Sequence, residues 1–407
     1  MIGDTPNSVQ IILILACFVV SFISAWLLAQ YPQFLPDIPN NRSAHRRVVS
    51  RGGGICFILP VLAGSLILVS FNRALLDNAL LTFLLGGVIV SLIGLVDDAI
   101  SQPALPRLIL QLIVVSLLTI FGAPERLRIL GVIEFTGWPV YLIQIFWLLG
   151  CINFFNFMDG LDGLAAFQAI FLSSLIGILL LMDYENIVNN QITVDTAVMH
   201  GAQYNKLMST FFFALAAVMV GYFAWNLPPA RIFMGDNGSY FLGFVFGYSA
   251  LIFPYSSSQK NLPVTVDLLK QDLVPVYMGF TAVFILLAPF LMDATLTLFK
   301  RILKKKNIFT AHREHFFQLL HRDGWSPMKI ILLLAALDTL ALIPLGLYIL
   351  RLNSVFIFSL IMVLLFFGTL VYFVVGDRLT RKLERNEHRG PVIDMVNFKK
   401  RARGADS

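Results

Sequence analysis

The chain has 407 residues, 57% of them hydrophobic and 13% charged, with a formal net charge of +6 and a pI near 9.2. Soluble domains carry roughly 45–50% apolar and about 25% charged residues, so this composition, with a mean hydropathy of +0.79 and 36 Phe, excludes an ordinary soluble core. The basic excess does not point to nucleic acid either, because Lys and Arg lie in short loops between apolar runs, as membrane topology requires.

A membrane-crossing helix needs about 20 mostly apolar residues. On that basis the sequence predicts spans over 9–29, 54–71, 78–96, 105–121, 139–155, 162–182, 207–225, 240–255, 274–299, 328–350 and 354–375. The eighth is short and the fifth contains Asn153, so 10–11 transmembrane helices are expected in an all-α integral membrane protein. Residues 1–376 make one polytopic domain and 377–407 a basic cytoplasmic tail. No basic residue precedes the first run, so it is read as a retained helix rather than a cleaved signal. Only seven of the 30 Lys and Arg (Arg73, Arg126, Arg128, Lys206, Lys260, Lys270 and Arg351) fall in one set of alternate loops. The positive-inside rule then puts the N-terminus outside and the C-terminus in the cytoplasm. Cys17, Cys56 and Cys151 lie in apolar spans without paired spacing and are read as inert.

That orientation, fixed by charge alone, collects the polar clusters on the cytoplasmic side. The segments from Pro36 to Ser43 and from Arg51 to Gly54 come first. Next, Asp97 and Asp98 close an apolar helix, where adjacent acids repel each other and oppose the helix dipole. Simple solvation of a helix end explains them less well than a site does. Asn156, Asp159 and Asp162 are spaced by three, which on a helical turn shares one face, and Gly160 and Gly163 leave room for a ligand. From Asn226 to Ser239 runs a Pro- and Gly-bearing loop. There Gly235 permits close backbone approach, the following helix offers N–H groups to phosphate oxygens, and Asp236 suits Mg²⁺. In the most basic loop, His312, Arg313 and His315 are read as phosphate ligands, while Lys300 to Lys306 neutralise lipid headgroups. Carboxylates for a hard cation, a glycine loop and cations together suit phosphoryl transfer, which rests on positioning and electrostatics. An acceptor phosphate at a membrane surface belongs to a lipid.

The motifs Asn156-Phe157-Met158-Asp159-Gly160-Leu161-Asp162-Gly163 and Phe233-Met234-Gly235-Asp236, in this order with Asp97-Asp98, resemble the polyprenyl-phosphate N-acetylhexosamine-1-phosphate transferases. The likeness runs from Asp37 to about Trp325. It implies an enzyme moving a sugar-1-phosphate from a UDP-N-acetylhexosamine to undecaprenyl phosphate, with Mg²⁺ (Mn²⁺ substituting), in the bacterial inner membrane, and it allows a homodimer. By resemblance, Asp236 is the metal ligand with help from Asn156, and Asp97 and Asp98 are the catalytic acids. Asp159 and Asp162 line the nucleotide side, Asn226 and Phe233 lie near the uracil with Phe233 stacking, and Arg107, near Gln111, holds phosphates. His312, Arg313 and His315 occupy the family's His-x-His-His position, where Glu314 replaces a histidine. The His-Arg-x-His form resembles the branch that starts O-antigen and other surface polysaccharides with GlcNAc, FucNAc or QuiNAc, rather than the phospho-MurNAc-pentapeptide branch of peptidoglycan synthesis. The residues leave three routes open: direct attack by the lipid phosphate, base catalysis by Asp97 or Asp98, or a covalent intermediate. A transporter fits less well, because polar residues crowd one face and no pair of broken helices repeats.

Overall fold

The computed structural model describes residues 5–38, 47–100, 102–129, 133–189, 196–253, 279–307, 313–350 and 354–403. Within apolar surroundings a backbone satisfies its own hydrogen bonds only as helix or closed barrel, and the apolar runs here form helices. They are α1 (Asn7–Gln30), α2 (Gly53–Phe71), α3 (Asn78–Ile100), α4 (Ala104–Gly122), α5 (Trp138–Met158), α6 (Leu164–Asn189), α7 (Thr196–Asn226), α8 (Gly235–Ile252), α9 (Phe280–Leu303), α10 (Phe316–Arg322), α11 (Pro327–Ile349) and α12 (Ser354–Arg403). Ten of them are long and apolar enough to cross a membrane, all but α8 and the seven-residue α10. The chain is an all-α integral membrane protein that crosses the bilayer many times.

Local chemistry sets several boundaries. Pro139 opens α5, and Pro327 opens α11, where the Ser326 hydroxyl caps by accepting from the Lys329 N–H at 3.4 Å. Pro60 inside α2 cannot donate to the Cys56 carbonyl, and Ser24 of α1 faces that carbonyl with its hydroxyl at 3.4 Å.

The expected short eighth span is the centre of the molecule. Every residue of α8 from Asn237 to Ile252 is buried, so the helix has no lipid-facing side. It packs on α2, α3 and α5. Close approach is possible because small residues sit at the contacts. A Cβ on Gly86 would meet the Phe244 ring, and one on Gly243 would meet the Cys151 carbonyl oxygen at 2.6 Å. Phe246 of α8 stacks on Phe155 of α5 at 5.5 Å, and Phe155 meets Phe290 of α9 at 4.7 Å. The three cysteines are buried and unpaired by disulfides.

Two features depart from the expected pattern. Antiparallel pairs form in two loops: β1 (Pro36–Asp37) with β2 (Val49–Ser50), and β3 (Arg126–Ile129) with β4 (Ile133–Thr136). The expected tail is helical from its start, because α12 continues through Asp377 to Arg403 without a break.

Candidate active site

The site is assembled where one end of α8 meets the ends of α2, α3, α4 and α5. The segment that follows β2 runs beside the residues preceding α8. The Phe233 N–H donates to the Ser50 carbonyl (2.8 Å), the Gly53 N–H to the Phe233 carbonyl (2.9 Å), and the Gly54 N–H to the Met234 carbonyl (2.9 Å). Glycine is required at the start of α2, since a Cβ on Gly53 would meet the Phe233 oxygen at 2.5 Å and one on Gly54 would meet the Gly238 nitrogen at 2.6 Å. Gly235 turns the chain into α8 at φ +72°, a region that favours glycine.

The two adjacent acids at the end of α3 have different partners. Asp98 accepts from the backbone N–H groups of Asp236 (3.0 Å) and Asn237 (2.9 Å), one on each carboxylate oxygen. These are among the α8 amides that the sequence offers to phosphate oxygens, so at those two positions the expectation is corrected: a protein carboxylate holds them. Asp97, 4% exposed, accepts from the Gln102 N–H (2.8 Å), Arg107 Nη1 (2.8 Å) and the Tyr240 hydroxyl (3.3 Å). The same Arg107 nitrogen lies 3.8 Å from Asp236 Oδ2. Arg107 therefore stands between two carboxylates. Asn156 Nδ2 donates to Asp236 Oδ1 at 2.5 Å and to the Ser239 hydroxyl at 3.1 Å, so its amide nitrogen, not its oxygen, faces Asp236. Gln111 of α4 joins α5 by accepting from Asn153 Nδ2 at 2.8 Å.

Asp159 and Asp162 do not lie on a helical face. α5 ends at Met158 and α6 starts at Leu164, and Gly163 at φ +77° turns the chain between them. Burial pushes the Asp159 carboxyl well above the usual carboxylate range, and Asp236, Asp98 and Asp162 push it the same way. Asp162 accepts from the Ala230 N–H at 3.0 Å. Asn226 is 3% exposed and spends both ends of its amide on backbone: its oxygen accepts from the Gly163 N–H (3.0 Å), and its nitrogen donates to the Ile232 carbonyl (2.8 Å). These two residues tie the 159–163 turn to the 226–232 loop. Asn226, expected near the uracil, thus fastens the two loops that border the site. Phe233 is half-buried beside the site.

His312 and residues 39–46 lie outside the described residues. Arg313 is exposed, whereas His315 is buried, its ring 5.8 Å from that of Phe157. Burial and the nearby Arg301 guanidinium push the His315 imidazole down to about 4, against the opposing pull of Glu314. Burial thus favours the neutral form of the His315 imidazole. Glu314 bridges Arg301 (3.1 Å) and Lys306 (2.6 Å). Burial raises its carboxyl, but those two cations hold it below the usual range.

Carboxylates, amides and a guanidinium at one end of a membrane bundle narrow the chemistry to handling phosphates, and sequence relationships decide the family. The profile described as Glycosyl transferase family 4 matches residues 80–254, which carry every site residue from Asp97 to Asp236. A phospho-N-acetylmuramoyl-pentapeptide-transferase of Fusobacterium nucleatum is 30% identical over 290 residues, covering 66% of this chain and 72% of that protein. The chain belongs to glycosyl transferase family 4. It is an enzyme of the polyprenyl-phosphate N-acetylhexosamine-1-phosphate transferase type. It is also similar to a probable undecaprenyl-phosphate N-acetylglucosaminyl 1-phosphate transferase of Bacillus subtilis, at 26% identity over 341 residues (80% of this chain, 82% of the relative). An undecaprenyl-phosphate alpha-N-acetylglucosaminyl 1-phosphate transferase of Escherichia coli is 26% identical over 380 residues, 88% of this chain and 90% of the relative.

In this family-4 transferase the sequence reading overlooked the residues that hold the acids. Tyr240 and Ser239 follow Asp236 by four and three residues, a helical spacing that would have placed them beside it. Asn237 donates to the Ser91 carbonyl (2.9 Å) and hydroxyl (2.8 Å), fastening α8 to α3. Gly94 lies under Asp236, where a Cβ would strike the Asp236 carbonyl and meet the Asn237 nitrogen at 2.6 Å. No pattern in the sequence announces that contact.

Proposed function

We propose that this family-4 transferase moves an N-acetylhexosamine-1-phosphate from a UDP-sugar to undecaprenyl phosphate, releasing UMP, at the cytoplasmic face of a bacterial inner membrane. The observation that carries the reading is the convergence of Asp97, Asp98, Asp236 and Arg107 around the start of the buried α8. The names of the relatives support the acceptor, and the motif form His-Arg-x-His supports surface-polysaccharide initiation with GlcNAc, FucNAc or QuiNAc. The Fusobacterium relative favours a second reading, transfer of phospho-MurNAc-pentapeptide for peptidoglycan.

The donor set suits Mg²⁺. Asp236, its side chain 28% exposed, offers carboxylate oxygen beside Asp97, a hard donor of the kind Mg²⁺ prefers. Among the described residues no three His, Cys, Asp or Glu form a complete ligand set. Mg²⁺ does not need one, since it keeps waters and takes one or two carboxylates plus substrate phosphates. Asp236 would hold the ion (Mn²⁺ substituting) and Asn156 would orient that carboxylate. The ion's chemistry there is neutralising charge on a pyrophosphate. Arg107 supplies a second positive charge, directed by Asp97. The lipid phosphate, a monoester with a second pKa near 6, is largely dianionic at neutral pH and attacks the β-phosphorus in line. The P–O bond to UMP breaks and UMP leaves with the electron pair, so no protein nucleophile is required. Asp98, with both oxygens bound to backbone, sets the position of Asp236. Phe233 stacks on the uracil.

The test is mass spectrometry of lipid products formed by purified protein from undecaprenyl phosphate and a panel of UDP-sugars. A lipid pyrophosphate-linked N-acetylhexosamine is expected. A product from UDP-MurNAc-pentapeptide alone would favour the second reading, and a lipid-linked sugar retaining one phosphate would overturn both.

A further inference from the structure

Asp293 is not among the candidate residues above, although its Oδ1 lies 3.9 Å from His315 Nδ1. It lies within α9, 4% exposed, in a membrane-crossing helix where an uncompensated carboxylate is costly. Its Oδ1 accepts from the backbone N–H of Phe316 at 2.8 Å and from the Thr297 hydroxyl at 3.2 Å, and the Phe317 N–H faces it as well. Because Thr297 donates to Asp293, the Tyr372 hydroxyl of α12 must donate to Thr297, at 2.7 Å. The Tyr372 ring in turn packs on Phe316 with centroids 5.9 Å apart. Two membrane helices thus grip the chain at Phe316 through three buried polar side chains.

What this grip presents is the segment just before it. Glu314 is tied to Arg301 and Lys306, and His315 is buried against Phe157. After the segment, Gln318 reaches the site turn, its Nε2 2.8 Å from where a Gly160 Cβ would stand. Within 313–316, only Arg313 is exposed. An exposed guanidinium two residues before His315, whose ring packs on Phe157, and on a chain fixed at the next three positions, is a pre-organised anion ligand.

We infer that Asp293 is a positioning residue for donor binding: by holding the Phe316 amide from behind, it fixes Arg313 toward the diphosphate of the nucleotide sugar. This rests on the functional reading above. A carboxylate that served folding alone would change the fraction of active protein, which leaves KM untouched. One that positions Arg313 changes the donor KM.

The experiment measures donor KM and kcat in detergent for wild type, Arg313→Ala, Asp293→Ala, Asp293→Asn and Thr297→Val. Arg313→Ala and Asp293→Ala should each raise the donor KM about tenfold, the loss of roughly one charge-assisted hydrogen bond. The KM for lipid phosphate should stay within about twofold. Asn keeps an oxygen for the Phe316 N–H, so Asp293→Asn should return the donor KM to within about threefold of wild type. Unchanged donor KM in a folded Asp293→Ala protein would overturn the inference, and so would equal increases in Asp293→Ala and Asp293→Asn. If Asp293→Ala does not fold, Thr297→Val decides: about a threefold rise supports the inference and no rise overturns it. Wild-type protein without UDP-sugar turnover would instead sink the functional reading, and the inference with it.

Discussion

At the scale of single residues, neighbouring acids have been given different work by their partners. Asp236 is largely buried beside Arg107, so Asp236→Asn keeps the shape and removes the charge that would oppose a cation. Turnover should fall by about 10²–10³, the usual effect of removing one electrostatic stabiliser, while the melting temperature in detergent holds. Asp98 is different because both its oxygens accept backbone N–H groups. In Asp98→Asn an amide NH₂ must face one of those donors, so stability should fall by about 1–3 kcal/mol together with turnover. Calorimetry beside the activity assay separates the two, since a purely chemical role would leave the melting temperature unchanged. His315 gives a pH test. Its imidazole is pushed from an ordinary 6.5 to about 4, so the folded state prefers the neutral form. That preference stabilises the fold above pH 6.5 and is lost as pH falls toward 4. Wild type should therefore lose up to about 3 kcal/mol more over that interval than His315→Gln. Parallel pH slopes of the melting temperature in the two proteins would contradict the buried, neutral ring.

At the scale of elements, the length of the apolar runs in the sequence finds the long helices, but not all of their ends: α7 begins at Thr196 rather than 207, and α12 runs on to Arg403 rather than 375. It does so because a lipid-facing helix must be apolar over its whole length. It fails where lipid is not the neighbour. α8 is short and carries Asp236, Asn237 and Ser239 because protein surrounds it on all sides. The spacing of Asp159 and Asp162 suggests a helical face, yet it belongs to a turn closed by Gly163. The residue types of the site were legible, since acids, amides and glycines at membrane depth are conspicuous. Their partners were not, because Gly94 under Asp236 or Asp293 behind Phe316 is a contact between distant segments that no local pattern encodes. Gly94→Ala tests this level: the added Cβ meets backbone atoms of Asp236 and Asn237, which cannot swing aside. It should destabilise by about 1–3 kcal/mol and lower turnover at least about tenfold. Gly346→Ala on α11 is the control, with nothing within 4 Å of the added carbon, and should be neutral or slightly stabilising.

At the scale of the whole molecule, the bundle brings the ends of five helices together on one face, and the charge asymmetry of the loops leads us to propose that this face is cytoplasmic. In intact cells or oriented vesicles, Ala74→Cys, in the loop between α2 and α3, should react with an impermeant thiol reagent from outside. Lys305→Cys, after α9, should react only once the membrane is opened. The native cysteines are buried and give little background. Reversed labelling would overturn the orientation and put the site on the wrong side for a nucleotide-sugar donor. The central claim is that a Mg²⁺-dependent phosphoryl transfer, not a glycosyl transfer, occurs at the Asp97–Asp236 cluster. It is tested most directly by quantifying nucleotide and lipid products from the purified enzyme given UDP-GlcNAc and undecaprenyl phosphate, with EDTA and after Mg²⁺ is restored. One UMP per lipid-linked sugar, no product in EDTA and recovery with Mg²⁺ are expected; release of UDP, or full turnover in metal-free buffer, would rule this chemistry out.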